Sequence, residues 1–271
     1  MNPPAAKPPP EAQTAAAPGA KRASILAVTS GKGGVGKTFL SANLAAALTR
    51  RGERVLVLDA DLGLANLDVV LNLVPKVTLH DVFTGKASLE EAIVPAPGGF
   101  SVLLAGSGMV EYSRLTPEVR DQLLDVIKTV APRFDRIVLD TGAGISDVVL
   151  FAVSLADEVA LVVTSEPTSL TDAYATIKVL SSQQQRGPIG LIVNQVSQLG
   201  EGRTVRAQLQ RVVDRFVNPD AGRPVTLELI GAVPADKAVR EAVQKRQLLL
   251  DVYPGSPAAL AVVAIATRLA P

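Results

Sequence analysis

Residues 31–38 read Gly-Lys-Gly-Gly-Val-Gly-Lys-Thr and fit the phosphate-cradling pattern G-x-x-x-x-G-K-[ST] at every fixed position. The residue types follow from the chemistry of a triphosphate. Several negative charges need backbone N–H groups turned inward, and a side chain at the turn would block their approach. Gly31, Gly33, Gly34 and Gly36 are expected to remove those side chains and to allow positive φ, with Val35 completing the loop. Lys37 is placed to reach the terminal phosphates, and the Thr38 hydroxyl to ligate Mg²⁺. A second lysine, Lys32, follows the first glycine, where the general pattern asks for none.

Carboxylates recur where such a site would need them. Asp59-Ala60-Asp61 closes an apolar run, and two carboxylates one residue apart beside a phosphate loop suit Mg²⁺ and water positioning. Capping aspartates after a strand would look the same. Arg136-Ile137-Val138-Leu139-Asp140 is an apolar run ending in an acid, the pattern of a Walker B strand, with Asp140 holding Mg²⁺ through water. Thr141-Gly142-Ala143-Gly144 then reads as a flexible glycine turn able to respond to a γ-phosphate. Asn194 ends another run, and its amide can pair with an adenine edge.

The elements that must position these residues alternate along the chain. Strands are expected at 25–30, 54–59, 100–105, 135–140, 158–164, 189–194 and 226–231. Helices are expected at 38–50, 116–130, 145–155, 169–184, 203–216, 237–246 and 257–269, with short ones near 66–72, 78–83 and 89–93. The rhythm predicts an α/β fold, a doubly wound, mostly parallel sheet with helices on both faces. Ligands of such sheets sit at the carboxyl ends of the strands, where the residues above cluster. The loop opens into a helix at Phe39, whose N-terminal amides and dipole favour an anion. The irregular stretch 60–98 is a candidate switch segment.

Composition narrows the function classes. The chain has 271 residues, 48% of them hydrophobic, enough for one large domain with a substantial core. Net charge is +1, so no global field draws it to nucleic acid or to an anionic membrane. With no cysteine, disulfides, thiolate catalysis and iron–sulfur ligation are excluded, and a lone histidine, His80, argues against a histidine metal centre. Residues 1–22 are proline- and alanine-rich without an apolar core, which reads as a disordered tail rather than a signal peptide, leaving 23–271 as the folded unit. No stretch has the length and apolarity of a membrane span, so a soluble, cytoplasmic protein is expected, polar or transiently membrane-associated when engaged with a partner.

The loop Gly31–Thr38 resembles the deviant phosphate loop of the MinD/ParA ATPases, a branch of the P-loop NTPases of the SIMIBI type. The resemblance runs over 24–270. It implies ATP and ADP as ligands with Mg²⁺, slow partner-regulated hydrolysis to ADP and phosphate, and a homodimer formed with ATP, in which Lys32 crosses the interface to the partner's nucleotide. It implies that Asp61 orients the attacking water, and that Asn194, Pro234 and Asp236 contact the base. Longer blocks, Asp59–Asp68, Glu166–Tyr174, Glu201-Gly202-Arg203 and Val243–Arg246, are similar to the flagellar-number regulators of that family, FlhG or FleN. The implied partners are flagellar: the FlhF GTPase, a flagellar master transcription regulator or switch-complex proteins. Two departures qualify this. Residues 1–23 lack the Asp-Gln-Ala motif linked to FlhF stimulation. Ser256–Ala270 carries only Arg268 as a cation, whereas a membrane-surface helix needs a basic face, so this segment reads as a buried last helix and membrane contact stays open. Two other readings remain. One is a DNA-binding partition ATPase using Arg203, Arg206, Arg211, Arg215 and Arg223, although Glu201, Asp214 and Asp220 interrupt that charge. The other is an ATP-dependent scaffold for another polar or division-site machine.

Overall fold

A computed structural model describes residues 22–63, 65–106 and 114–270. The expected tail at 1–22 lies outside these residues except for Arg22, so nothing below bears on it.

One eight-stranded sheet runs through the molecule in the order β3-β4-β2-β5-β1-β6-β7-β8. Its strands are β1 (Ser24–Ser30), β2 (Val55–Ala60), β3 (Ile93–Pro95), β4 (Ser101–Leu103), β5 (Arg136–Ala143), β6 (Glu158–Val163), β7 (Pro188–Val196) and β8 (Thr226–Pro234). Every neighbouring pair is parallel except β3–β4. The doubly wound expectation therefore holds. The three-residue β3 was not legible as a strand, because so short a segment at a sheet edge has no periodicity to read.

Burial on both faces explains why the strands are apolar at nearly every position. Side chains alternate between faces, so β1 sends Ile25 and Ala27 to one core and Leu26 and Val28 to the other. The first core is roofed by α5 (Pro117–Val130), α6 (Asp147–Ser154), α7 (Pro167–Gln184) and α8 (Glu201–Phe216). The second is roofed by α1 (Lys37–Arg50), α10 (Leu249–Val252) and α11 (Pro257–Leu269). Short helices α2 (Leu67–Leu71), α3 (Leu79–Phe83) and α4 (Leu89–Ala92) fill the 60–98 stretch, and α9 (Lys237–Gln244) follows β8. The expected long helices are all present. α10 was missed because four residues carry no period.

The last helix docks as expected. α11 buries Ala258, Ala259, Val262, Ile265, Ala266 and Leu269 against α1 and β8. Two small contacts fix its seat. A Cβ at Gly231 on β8 would lie 2.3 Å from Ile265 Cγ1, so only glycine permits this approach. At the opposite end Arg136, 2% exposed, donates to the Leu269 carbonyl at 2.5 Å and pairs with Glu158 at 2.9 Å and Glu53 at 3.5 Å. Among the described residues no helix is long and apolar enough to cross a membrane.

A buried guanidinium costs more to orphan than to remove cleanly, since its former partners are left unpaired. Arg136→Ala strips the Leu269 carbonyl and Glu158 of their donor and Glu53 of its ion-pair partner. The expected loss is about 3 kcal/mol, read as a lower urea midpoint with an unchanged slope.

Candidate functional site

The phosphate loop bridges β1 and α1 at the carboxyl edge of the sheet. Two of its glycines take the backbone where other residues are strained, Gly34 at φ +77° and Gly36 at φ +97°. Gly36 is also pressed from outside, because a Cβ there would sit 2.5 Å from Asn194 Nδ2. Gly31 has a different reason from the one expected. Its φ is not in the left-handed region, and a Cβ would lie 2.3 Å from the Asp172 carbonyl oxygen of α7. Close helix packing, rather than phosphate approach, demands that glycine. A Cβ at Gly33 would meet nothing within 4 Å.

Side chains gather behind the loop from three strands. Lys37 is buried, and its Nζ donates to Ser30 Oγ at 2.9 Å, while that hydroxyl donates to the Lys32 carbonyl at 2.7 Å. Burial lowers the lysine's pKa, and the charges of Asp140 and Asp61 oppose the shift. Asp59 and Asp140 are register partners in the β2–β5 ladder, so two carboxyls lie side by side, 1% and 3% exposed. Asp140 accepts from Ser41 Oγ at 2.8 Å. Burial pushes its pKa up to about 6, against hydrogen bonds from Thr38 and Ser41 and the charge of Lys37. Asp59 is raised well above the carboxylate range by burial and then by Asp140, and the Asp61 amide donates to its Oδ1 at 3.1 Å.

A cleft of about 860 Å³ opens over the loop. Gly33, Gly34, Gly36, Lys37, Thr38, Phe39, Asp61, Asn194, Pro234 and Asp236 all line it, so the sequence brings most of its candidates to one place. Asp61 packs against β5, where a Cβ on Gly142 would approach its Oδ1 to 3.3 Å. The supposed glycine turn after Asp140 is instead part of β5, which continues to Ala143, and the Gly144 amide is pinned to the Ser30 carbonyl at 2.8 Å. The donor set of the Thr38 hydroxyl and the Asp61 and Asp140 carboxylates is hard oxygen throughout, as Mg²⁺ on a phosphate requires. Among the described residues no group of three or more His, Asp or Glu side chains could hold a metal by itself, so water or phosphate oxygens would complete the shell.

Five candidates lie outside the cleft lining: Gly31, Lys32, Val35, Asp59 and Asp140. Lys32 turns away, its Nζ donating to Glu166 Oε2 at 2.5 Å and Thr168 Oγ1 at 2.9 Å. Val35 is buried, and its carbonyl accepts from Asn194 Nδ2 at 2.8 Å. Asn194 Oδ1 takes the Gln195 amide, so both ends of this amide are engaged within the protein. Asp236 is similarly committed, accepting from Ala238 N at 2.9 Å as the cap of α9 and from Ala258 N at 3.1 Å at the start of α11. Residues the sequence did not mark as site residues add to the wall, among them Val70 on α2 and Val239, Arg240 and Gln244 on α9. Only their place in space marks them.

The CbiA family, the CobQ/CobB/MinD/ParA nucleotide binding domain, matches residues 26–250. The antiactivator FleN of Pseudomonas aeruginosa is 43% identical over 245 residues, which is 90% of this chain and 85% of that protein. The flagellum site-determining protein YlxH of Helicobacter pylori is 35% identical over 231 residues, 85% of this chain and 76% of its own length. Among solved structures, the septum site-determining protein MinD of Pyrococcus horikoshii complexed with Mg-ADP superposes with a TM-score of 0.73 at 29% identity, covering 91% of this chain and 96% of that one.

The raised pKa of Asp140 has a measurable sign. Its folded pKa exceeds its unfolded value, so the neutral carboxyl favours the fold. That contribution is complete below about pH 4 and is lost as pH rises through about 6. Asp140→Asn stays neutral throughout. In nucleotide- and Mg²⁺-free protein at pH 8 the variant is expected to exceed wild type by about 3 kcal/mol in urea unfolding, with the difference vanishing near pH 4.

Proposed function

The chain belongs to the CobQ/CobB/MinD/ParA nucleotide-binding family, and on that premise we propose that it is a nucleotide switch that controls flagellar number or placement. It is an ATPase using ATP, ADP and Mg²⁺. In this reading ATP closes a homodimer, the dimer engages a flagellar partner, and hydrolysis releases it. The observation that carries the proposal is the convergence of Lys37, Thr38 and Asp61 on one cleft, in a chain similar over nine-tenths of its length to the antiactivator FleN and over 85% to a flagellum site-determining protein, YlxH.

The chemistry follows from the residues. Gly34 and Gly36 leave the loop amides free to face phosphate oxygens, and α1 adds its N-terminal dipole. Lys37, already desolvated, brings a cation to the terminal phosphate without reorganising. Bound Mg²⁺ supplies neutralisation of charge on the phosphate oxygens. Thr38 and Asp140 are the residues that hold it, the latter through water. Asp61, on the cleft wall beside β5, orients the attacking water in line.

Lys32 is the residue that ties nucleotide to dimer. Its pair with Glu166 is half open to solvent, with side-chain exposures of 35% and 62%. Pairs of this kind are worth about 0–1 kcal/mol, so exchange of Glu166 for a partner's phosphate costs little. The arginines of α8 offer less to a DNA-binding reading. Arg206 Nε donates to the Leu227 carbonyl at 2.8 Å, Arg211 Nε to the Ala207 carbonyl at 3.3 Å, and Arg215 lies over the Phe216 ring. Three of the five supposed phosphate contacts thus have local work.

Two variants test the switch. Asp61→Ala binds ATP, loses hydrolysis by about 10²-fold or more and accumulates as dimer in light scattering; a monomer with ATP bound would refute the water-orienting role. Lys32→Ala retains nucleotide but loses ATP-dependent dimerisation, and an unaltered dimer constant would refute the trans contact. Counting flagella in cells lacking the protein tests the assignment itself, since normal number and placement would overturn it.

A further inference from the structure

Helix α9 turns one side to the nucleotide cleft. Val239 and Val243 lie one turn apart on it, as do Arg240 and Gln244, and all four line the wall. The helix is held in place, because Asp236 caps it and also holds the first turn of α11, while Ala242 anchors it in the second core. Arg136, Arg186 and Arg206 are engaged by backbone carbonyls. Arg240 instead stands exposed in the wall of the cleft and makes no hydrogen bond, ion pair or ring contact with any described residue. A bound nucleotide needs its base covered as well as its phosphates held, and ligand pockets commonly use aromatic rings for this. Here the cleft has little to give. Among the described residues its one aromatic ring is Phe39, 8% exposed and packed in the core. Asn194 is buried, and both oxygens of Asp236 accept backbone amides. The largest flat, exposed group in the lining is the Arg240 guanidinium.

We propose that Arg240 binds the base of the nucleotide, with its guanidinium laid on the ring face. This rests on the reading that the nucleotide occupies this cleft. A guanidinium is flat and weakly hydrated, stacks on aromatic faces and adds a cation–π attraction. Its neighbours on α9 suit a base rather than a phosphate, because Val239 and Val243 offer apolar contact and no side-chain donor. The phosphates have a cation of their own in Lys37, from the loop. Arg240 is on this account a binding residue and not a catalytic one. It holds ATP and ADP alike, which a contact confined to the γ-phosphate could not do.

Calorimetry on the full chain tests this with two ligands. Mg-ADP leaves ATP-dependent dimerisation out of the result, and Mg-tripolyphosphate carries phosphates without a base. Arg240→Ala is expected to weaken Mg-ADP binding about fivefold and to leave Mg-tripolyphosphate binding unchanged, which also shows that the variant is folded. Arg240→Lys, which keeps the charge and loses the flat group, is expected to weaken Mg-ADP nearly as much. The proposal is overturned by unaltered Mg-ADP binding in Arg240→Ala, by full affinity in Arg240→Lys, or by an equal loss of tripolyphosphate, which would assign the side chain to the phosphates. Lys37→Ala separates this inference from the reading beneath it, and is expected to weaken both ligands about tenfold or more. Mg-ADP binding untouched by Lys37→Ala overturns the cleft reading and this inference with it. Loss in Lys37→Ala beside unaltered binding in Arg240→Ala overturns this inference alone.

Discussion

The adjacency of Asp59 and Asp140 governs this molecule. Parallel pairing of β2 with β5 sets the two residues opposite one another, and burial denies both of them water. Neighbouring carboxyls of this kind cannot both ionise without a cation. Lys37 supplies part of the compensation to Asp140 from the phosphate loop, although burial lowers its own pKa. The hydroxyls of Thr38 and Ser41 supply another part to Asp140. What is left over is an appetite for positive charge at the carboxyl edge of the central strands, which metal and nucleotide chemistry can satisfy.

The loop and its surroundings are joined by a chain of short contacts. Ser30 joins Lys37 to the backbone of Lys32, so the two lysines are linked through one hydroxyl. The Gly144 amide is held by the Ser30 carbonyl, and Asp61 is packed against Gly142. Ser30 is thus linked to both lysines and, through the Gly144 amide, to the end of β5. Lys32 leans on Glu166 through a weak, half-exposed pair, the kind of contact a stronger anion displaces.

The far wall of the cleft shows how scaffold and site share residues. Asp236 caps α9 with one oxygen and holds the first turn of α11 with the other. Asn194 ties β7 to the phosphate loop through the Val35 carbonyl. Both were expected to serve a base; in the structure their polar atoms brace the wall on which a base would lie. Val70, Val239, Arg240 and Gln244 supply further surface, from helices that are far apart in sequence.

Much was legible in the sequence, because its signals are local. The glycine-lysine loop, the acids at the ends of apolar runs and the alternation of strand and helix patterns each occupy one window, so the doubly wound fold and the residues of the cleft could be read before any coordinates. What has no local signal was decided by tertiary structure. β3 and α10 are too short to carry a period. Gly31 is needed because of Asp172, Lys32 rests on Glu166, and Arg136 seats α11, each across more than 130 residues of chain. The sequence also placed Asp59 and Asp140 as metal ligands of one site, whereas pairing in the sheet sets them side by side, buried and outside the cleft lining. Residue type determines what a group can do; only the packing of distant segments determines which partner, and which space, it meets.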